Sequence, residues 1–378
     1  MRTITSIALI TKENENAEQV LFHQQLRAGY IGLRSQPAYL QRLQNIAFCY
    51  FTLFIGTALL TSAVAAFRTV PEKPTWGFFG HQKINALAIF LLPPEMLAFY
   101  KPNATFISEH AVDPDKRRYL VDAEGPRHYI DIDTYGTYPY ASLPRNYDSA
   151  VAKFSEDSVQ AHGIVPWWTV IMLQRLTRAF REKDAARILK LSAELGHYIS
   201  DAHVPLHASH NHNGQFSNQK GIHGFWESRV PELLADRQFD FFMEKAAFIS
   251  NPSKFIWAAV LASAAAADTV LRVERELNDQ FPPDQKYAFE TRNGKIIRQY
   301  STAYTIAYDA RLKGMVERRM RQSIHATACY WYTAWVNAGQ PVLNKLDLSA
   351  MANQDTSIMK DFELQWKHAK PLEKSLEP

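Results

Sequence analysis

The chain has 378 residues, and its 42 lysines and arginines against 38 acidic residues leave a formal charge of only +4. So weak a surplus excludes a protein that coats duplex nucleic acid by charge alone. The only cysteines, Cys49 and Cys329, lie far apart in apolar surroundings, which excludes a disulfide framework and a thiolate zinc site.

Residues 1–44 form a mixed, polar leader. Residues 43–67 then carry no formal charge and include Ile46-Ala-Phe-Cys-Tyr-Phe-Thr-Leu-Phe-Ile-Gly-Thr-Ala-Leu-Leu. The apolar helix predicted over 45–67 is long enough to span a bilayer, for which ~20 residues suffice. It ends in the small residues Ala63-Val64-Ala65-Ala66, with Arg27, Arg34 and Arg42 on the preceding side, the pattern of a signal sequence. Export to a periplasmic or extracellular location is predicted. The leader is longer than an ordinary signal n-region, so either translation starts further in than Met1 or the segment stays as an uncleaved membrane anchor. Residues 68–75, with Pro71 and Pro74, read as an extended linker.

From Trp76 onward apolar residues recur at helical spacing, and one helical domain is predicted over 76–342 with a polar tail at 343–378. The pattern runs through Ile84, Leu87, Ala88 and Leu91, then Val170, Leu173, Leu176 and Phe180, then Ile188, Leu191, Leu195 and Ile199. The alanine- and leucine-rich stretch from Phe255 to Leu277 and the stretch from Tyr300 to Val336 continue it. Asn251-Pro252-Ser253 and Pro282-Pro283-Asp284 mark turns. Strand-like alternation is scarce and no fixed-period repeat appears, so the predicted class is all-α.

On these helices sit imidazoles and carboxylates that zinc prefers at hydrolytic sites: His81, Asp113, His128, His197, Asp201, His207, His223 and Glu227. The most informative run is Gly196-His-Tyr-Ile-Ser-Asp-Ala-His-Val-Pro-Leu-His207. Four residues separate His197 from Asp201, which puts both on one helix face within reach of one ion. Pro205 opposes continuation of that helix, so His207 is expected to approach from another direction. His223 and Glu227 repeat the four-residue pair. Between the pairs, residues 208–221 carry almost no apolar side chain except Phe216 and read as a surface loop rimming the site.

In this order W-G-x-x-x-H, an Asp fifteen before H-Y-I-D, G-H-x-x-x-D-x-H-x-P-L-H and H-x-x-x-E make a specific pattern. It resembles the superfamily that joins zinc-dependent phospholipase C to the zinc-dependent single-strand nucleases of the S-one and P-one type. The resemblance covers Trp76 to Glu227 by motif. It implies a multi-helix bundle holding three zinc ions: one on Asp113, His128, His197 and Asp201, a second on His207, His223 and Glu227, a third on Trp76, His81 and Asp201. Asp201 would bridge two ions, and a hydroxide between paired metals would attack phosphorus, with Asp113 and Asp201 as the catalytic carboxylates. Two departures stand out. In the family the third zinc is held by an N-terminal tryptophan, whereas Trp76 is internal. The interval from Trp76 to His81 is that of the nucleases, while the closing glutamate and its short gap from His207 are those of the phospholipases.

The resulting expectation is a zinc-dependent phosphodiesterase acting on single-stranded nucleic acid or nucleotides. Cleavage of phospholipid head groups is the alternative, and a non-catalytic zinc-stabilised surface module is the rival from another class. No protein partner is predicted. His203 is expected to support the site by hydrogen bonding, and His210 and His212 to be solvated. His110, His162, His325 and His368 read as structural or surface residues, and Asp131 and Asp133 as supports for His128 or turn caps. Tyr129 and Trp226, beside ligands, are candidates for stacking a base or packing on lipid, or are simply core. Arg117, Arg118 and Arg127 are candidates for a phosphate, or an ordinary solvated turn.

Overall fold

In the computed structural model, which describes residues 77–292 and 294–346, the first helix is α1 (Phe78–Ile89). His81, Ile84, Asn85 and Ala88 form its buried stripe at three- and four-residue spacing, so the helix face that seeks the core also carries His81 inward. Pro93 and Pro94 reset the chain into short helices, Pro94–Tyr100, Ala104–Glu109 and Asp113–Arg117. A run of tight 3-10 turns over Asp122–His128 follows.

Helix α2 (Val165–Glu182) begins with Pro166, whose missing N–H costs nothing in a first turn, and stops at Lys183 in the left-handed region. Asp184 then caps α3 (Ala185–Asp201) by accepting from the Arg187 N–H at 3.0 Å. From Ser192 to Asp201 α3 is buried on every side, which is what a central helix requires. As Pro205 predicts, α3 ends at Asp201, and a separate 3-10 turn over Pro205–Ala208 carries His207. His223 lies in the single turn Ile222–Gly224. The following turn, Phe225–Arg229, is π-helical before the chain resumes α geometry over Val230–Leu234. Such widened turns recur at functional sites.

Asn251 caps α4 (Pro252–Asn278) through the Lys254 N–H. This helix is apolar and long enough to cross a bilayer, but half of its most apolar stretch is buried in the bundle, Trp257, Val260 and Val270 among it. Two antiparallel strands, β1 (Tyr287–Arg292) and β2 (Lys295–Tyr300), then pair in register from Tyr287 opposite Tyr300 to Arg292 opposite Lys295. Helices α5 (Thr302–Leu312) and α6 (Met315–Asn337) close the described chain. Helix α6 packs on α1, α2 and α3, and Trp331 at its centre is fully buried, donating to the Ser192 carbonyl at 3.0 Å.

The fold is therefore mainly helical, as expected, with two corrections. The hairpin interrupts the predicted all-α pattern, and the stretch read as continuous from Tyr300 to Val336 starts in β2 and breaks at Lys313 and Gly314, both with positive φ. The polar leader, the apolar segment 45–67, the linker 68–75, Trp76 and the tail from 347 lie outside the described residues.

Candidate metal centre

Three groups of ligand-type side chains meet in the interior: Asp115, His128 and His197; His81, His197 and Asp201; and His207, His223 and Glu227. Helix α3 supplies the hinge between the first two. His197 Nε2 lies 3.0 Å from His128 Nδ1 and 3.2 Å from Asp201 Oδ2. Asp201 Oδ2 is also 3.0 Å from His128 Nδ1, while its other oxygen, Oδ1, faces His81 Nε2 at 3.5 Å and His207 Nδ1 at 3.7 Å. The two oxygens of Asp201 thus look toward different neighbours. In the third group Glu227 Oε2 is 3.0 Å from His223 Nε2 and 3.4 Å from His207 Nε2.

The carboxylate that joins His128 and His197 is Asp115, not the expected Asp113. Asp115 is buried, with Oδ1 at 3.8 Å from both His128 Nδ1 and His197 Nε2 and Oδ2 at 3.8 Å from His81 Nε2. Asp113 lies two residues earlier on the same short helix, and residues two apart do not share a face. Its carboxylate turns outward to His110 Nδ1 at 2.5 Å and Lys116 Nζ at 3.1 Å.

The ring nitrogens that face away from the groups are held in ways that fix the tautomers. His197 Nδ1 lies 2.8 Å from the Ala111 carbonyl and His207 Nδ1 2.6 Å from the His128 carbonyl, so each of these nitrogens must donate. Ser200 Oγ donates to the His197 carbonyl and therefore accepts from His81 Nδ1 at 2.7 Å. With Nδ1 the donor, the neutral form of each ring presents its Nε2 lone pair toward the centre, as ligation requires, and His207, lifted to about 9 by Asp201 and Glu227, must shed a proton from Nε2 to do so.

Burial and charge act against each other throughout. Burial alone would raise the Asp201 carboxyl, but the charges of His197 and His207 and a hydrogen bond from His128 hold it well below the ordinary carboxylate range. Glu227, likewise opposed by burial, is kept low by His223 and His207. Burial would lower His207, yet Asp201 and Glu227 beside it lift it to about 9. His81 goes the other way, pushed down by burial and by the nearby His197.

The donor set fits a cation. Asp201 Oδ1, both oxygens of Glu227, and the Nε2 atoms of His81, His207 and His223 are buried and have no hydrogen-bond partner. Each such atom costs on the order of 1–3 kcal/mol if nothing satisfies it. They are lone-pair atoms converging in one region, and imidazole with carboxylate suits a divalent transition metal such as zinc.

Around the centre the other expectations divide. His203 is buried and hydrogen-bonded through Nδ1 to the Ile199 carbonyl at 2.7 Å, and burial with nearby Arg319 lowers it to about 3. It belongs to none of the three groups. His210 is half-exposed and meets Asp131 Oδ2 at 3.3 Å, while Asp133 accepts from the His210 N–H at 2.9 Å and from Ser209 Oγ at 2.9 Å. Asp133 thereby pins the chain just after His207. Trp226 is fully buried and belongs to the core, whereas the Tyr129 ring is partly exposed. Arg117 and Arg127 are both engaged with buried Glu124, which lies outside the ligand motifs. Its only signal in the sequence is the four-residue interval to His128. No protein-family model and no curated protein matches the chain.

Proposed function

We propose that this chain is a zinc-dependent hydrolase of phosphate ester bonds, related to the single-strand nucleases and zinc-dependent phospholipases C that its motifs resemble. The observation that carries the reading is Asp201, fully buried, with one oxygen toward His128 and His197 and the other toward His81 and His207. A carboxylate so disposed can hold two cations side by side. Asp115, His128, His197 and Asp201 would hold the first, His207, His223 and Glu227 the second, and His81 with Asp201 would contribute to a third. Zinc bound there supplies Lewis acidity toward phosphate oxygens and lowers the pKa of water near them.

The chain's own residues add orientation. With Arg117 and Arg127 engaged by Glu124 and Glu194, Arg118 is the guanidinium left to receive a phosphate. It is part-exposed, with Nη1 3.9 Å from Asp115 Oδ1. Tyr129, next to His128, offers a partly exposed ring on which a base can stack. The short interval from Trp76 to His81, that of the nucleases, favours nucleic acid or a nucleotide over a lipid head group as substrate, and the apolar segment 45–67 favours an exported enzyme.

The test is zinc-loaded protein assayed side by side on single-stranded DNA, RNA and phosphatidylcholine. Hydrolysis of the two nucleic acids ahead of the lipid is expected, and the reverse order would make the enzyme a phospholipase. Zinc retained without hydrolysis of any of the three would leave a metal-stabilised module and end the catalytic reading.

A further inference from the structure

We infer that Glu124 is a positioning residue for the metal centre, holding the His128 ring so that Nδ1 is presented as the ligand atom. The inference rests on the metal reading of the preceding subsection and adds to it a residue that touches no ion.

His128 Nδ1 is the ring nitrogen that meets His197, Asp201 and Asp115. The opposite nitrogen, Nε2, is buried, has no hydrogen-bond partner, and lies 3.7 Å from Glu124 Oε1. A cation that takes the Nδ1 lone pair leaves the ring proton on Nε2. A buried N–H there needs an acceptor, and the anionic Glu124 Oε1, 3.7 Å away, is the one that faces it.

Glu124 itself is fully buried and firmly held. Its Oε2 accepts from Arg127 Nη1 at 2.7 Å and Arg117 Nε at 3.1 Å. Oε1 accepts from the Tyr198 hydroxyl and, at 3.4 Å, from Arg117 Nη2. Arg117 is tied in turn to Glu194 at 2.6 Å, and Arg127 lies 4.0 Å over the Trp168 ring. Tyr198 follows His197 directly in α3 and packs edge-on to the His128 ring at 5.6 Å. One clamp therefore fixes the surroundings of two ligands from different parts of the chain. If Glu124 served only as countercharge to the two arginines, its removal would lower stability without discriminating between the metal groups.

That difference is measurable on the full-length protein, stripped of metal and titrated with zinc against a chromophoric chelator, then with cobalt(II) followed by visible absorption. A His223→Ala variant, lacking one ligand of the second group, assigns the binding steps. Glu124→Gln is expected to weaken the ion held by Asp115, His128 and His197 by roughly 10–100-fold and to shift its cobalt band, while the ion at His207, His223 and Glu227 keeps its wild-type affinity and so reports an intact fold. Wild-type affinity for both ions would overturn the inference. Equal weakening of both would mean a folding defect, and Tyr198→Phe then decides: loss confined to the first ion supports the clamp, and unchanged affinity at both overturns it. Wild-type protein that binds neither zinc nor cobalt would refute the metal reading itself, an outcome distinct from any produced by Glu124 alone.

Discussion

Two aspartates two positions apart, Asp113 and Asp115, separate what the motif suggested from what the packing selects. The interval to His128 pointed to Asp113, but Pro114 sits between the two in a short helix, so only one carboxylate can face inward. Asp115 is 2% exposed and Asp113 keeps about a quarter of its side chain in solvent, bonded to His110 and Lys116. The variants should therefore differ sharply. Asp115→Asn is expected to cost at least the roughly 10–100-fold in metal affinity that loss of even an outer partner costs. Asp113→Asn breaks a part-buried pair with His110 and Lys116 that belongs to none of the metal groups, so it is expected to cost some stability while leaving zinc content and phosphodiesterase activity near wild type. Elemental analysis and turnover on an activated phosphodiester check both, and an inert Asp115→Asn beside a dead Asp113→Asn would reverse the assignment. Nothing in sequence spacing distinguishes the two residues, because the choice is made by which side of a five-residue helix the core covers.

At the scale of elements, the centre exists because α1 and α3 approach closely. Gly196 is the reason they can. A Cβ at that position would lie 2.0 Å from Asn85 Oδ1 and 3.0 Å from Thr327 Cγ2. Asn85 itself bonds the Ala193 carbonyl at 2.9 Å. One turn before Asn85 on α1 is His81, and one residue after Gly196 on α3 is His197, so the same close approach stacks the two imidazoles with centroids 3.8 Å apart. Gly196→Ala is expected to push Asn85 out of its hydrogen bond and destabilise the fold by about 1–3 kcal/mol, the usual cost of overpacking. A urea midpoint equal to wild type would show that α1 yields without penalty. The sequence made part of this legible: the His197 and Asp201 pair on one helix face, the stop before Pro205, and the redirected His207 are all consequences of local geometry. The hairpin is equally legible, since Tyr287–Arg292 and Lys295–Tyr300 flank Asn293-Gly294, a strong hairpin signal. The Arg117, Glu124 and Tyr198 clamp depends on contacts between residues 7 to 81 apart in sequence, which no local pattern encodes.

Across the whole molecule, the groups that meet at the centre come from segments spread between His81 and Glu227, so cations held by the three groups would each tie together parts of the chain distant in sequence. Any ligand that binds the folded chain alone stabilises it, by about 2.7 kcal/mol at a concentration 100 times Kd. For a domain of this size each kcal/mol raises Tm by roughly 2–4 °C, so saturating one zinc site is expected to raise Tm by roughly 5–10 °C over the metal-free protein. The increment should depend on pH with a definite sign. In the metal-free chain His207 is lifted from 6.5 to about 9 by Asp201 and Glu227 against the opposing effect of burial. Its protonation therefore stabilises the metal-free fold fully below pH 6.5, and that contribution is lost as pH rises through about 9. Zinc must displace the same proton, so its affinity rises by up to about tenfold per pH unit across that window. Calorimetric scans with and without zinc at pH 6 and pH 8 should thus show the wider gap at the higher pH. A gap that is equal at both, or that narrows, would mean that the His207 proton does not compete with the metal.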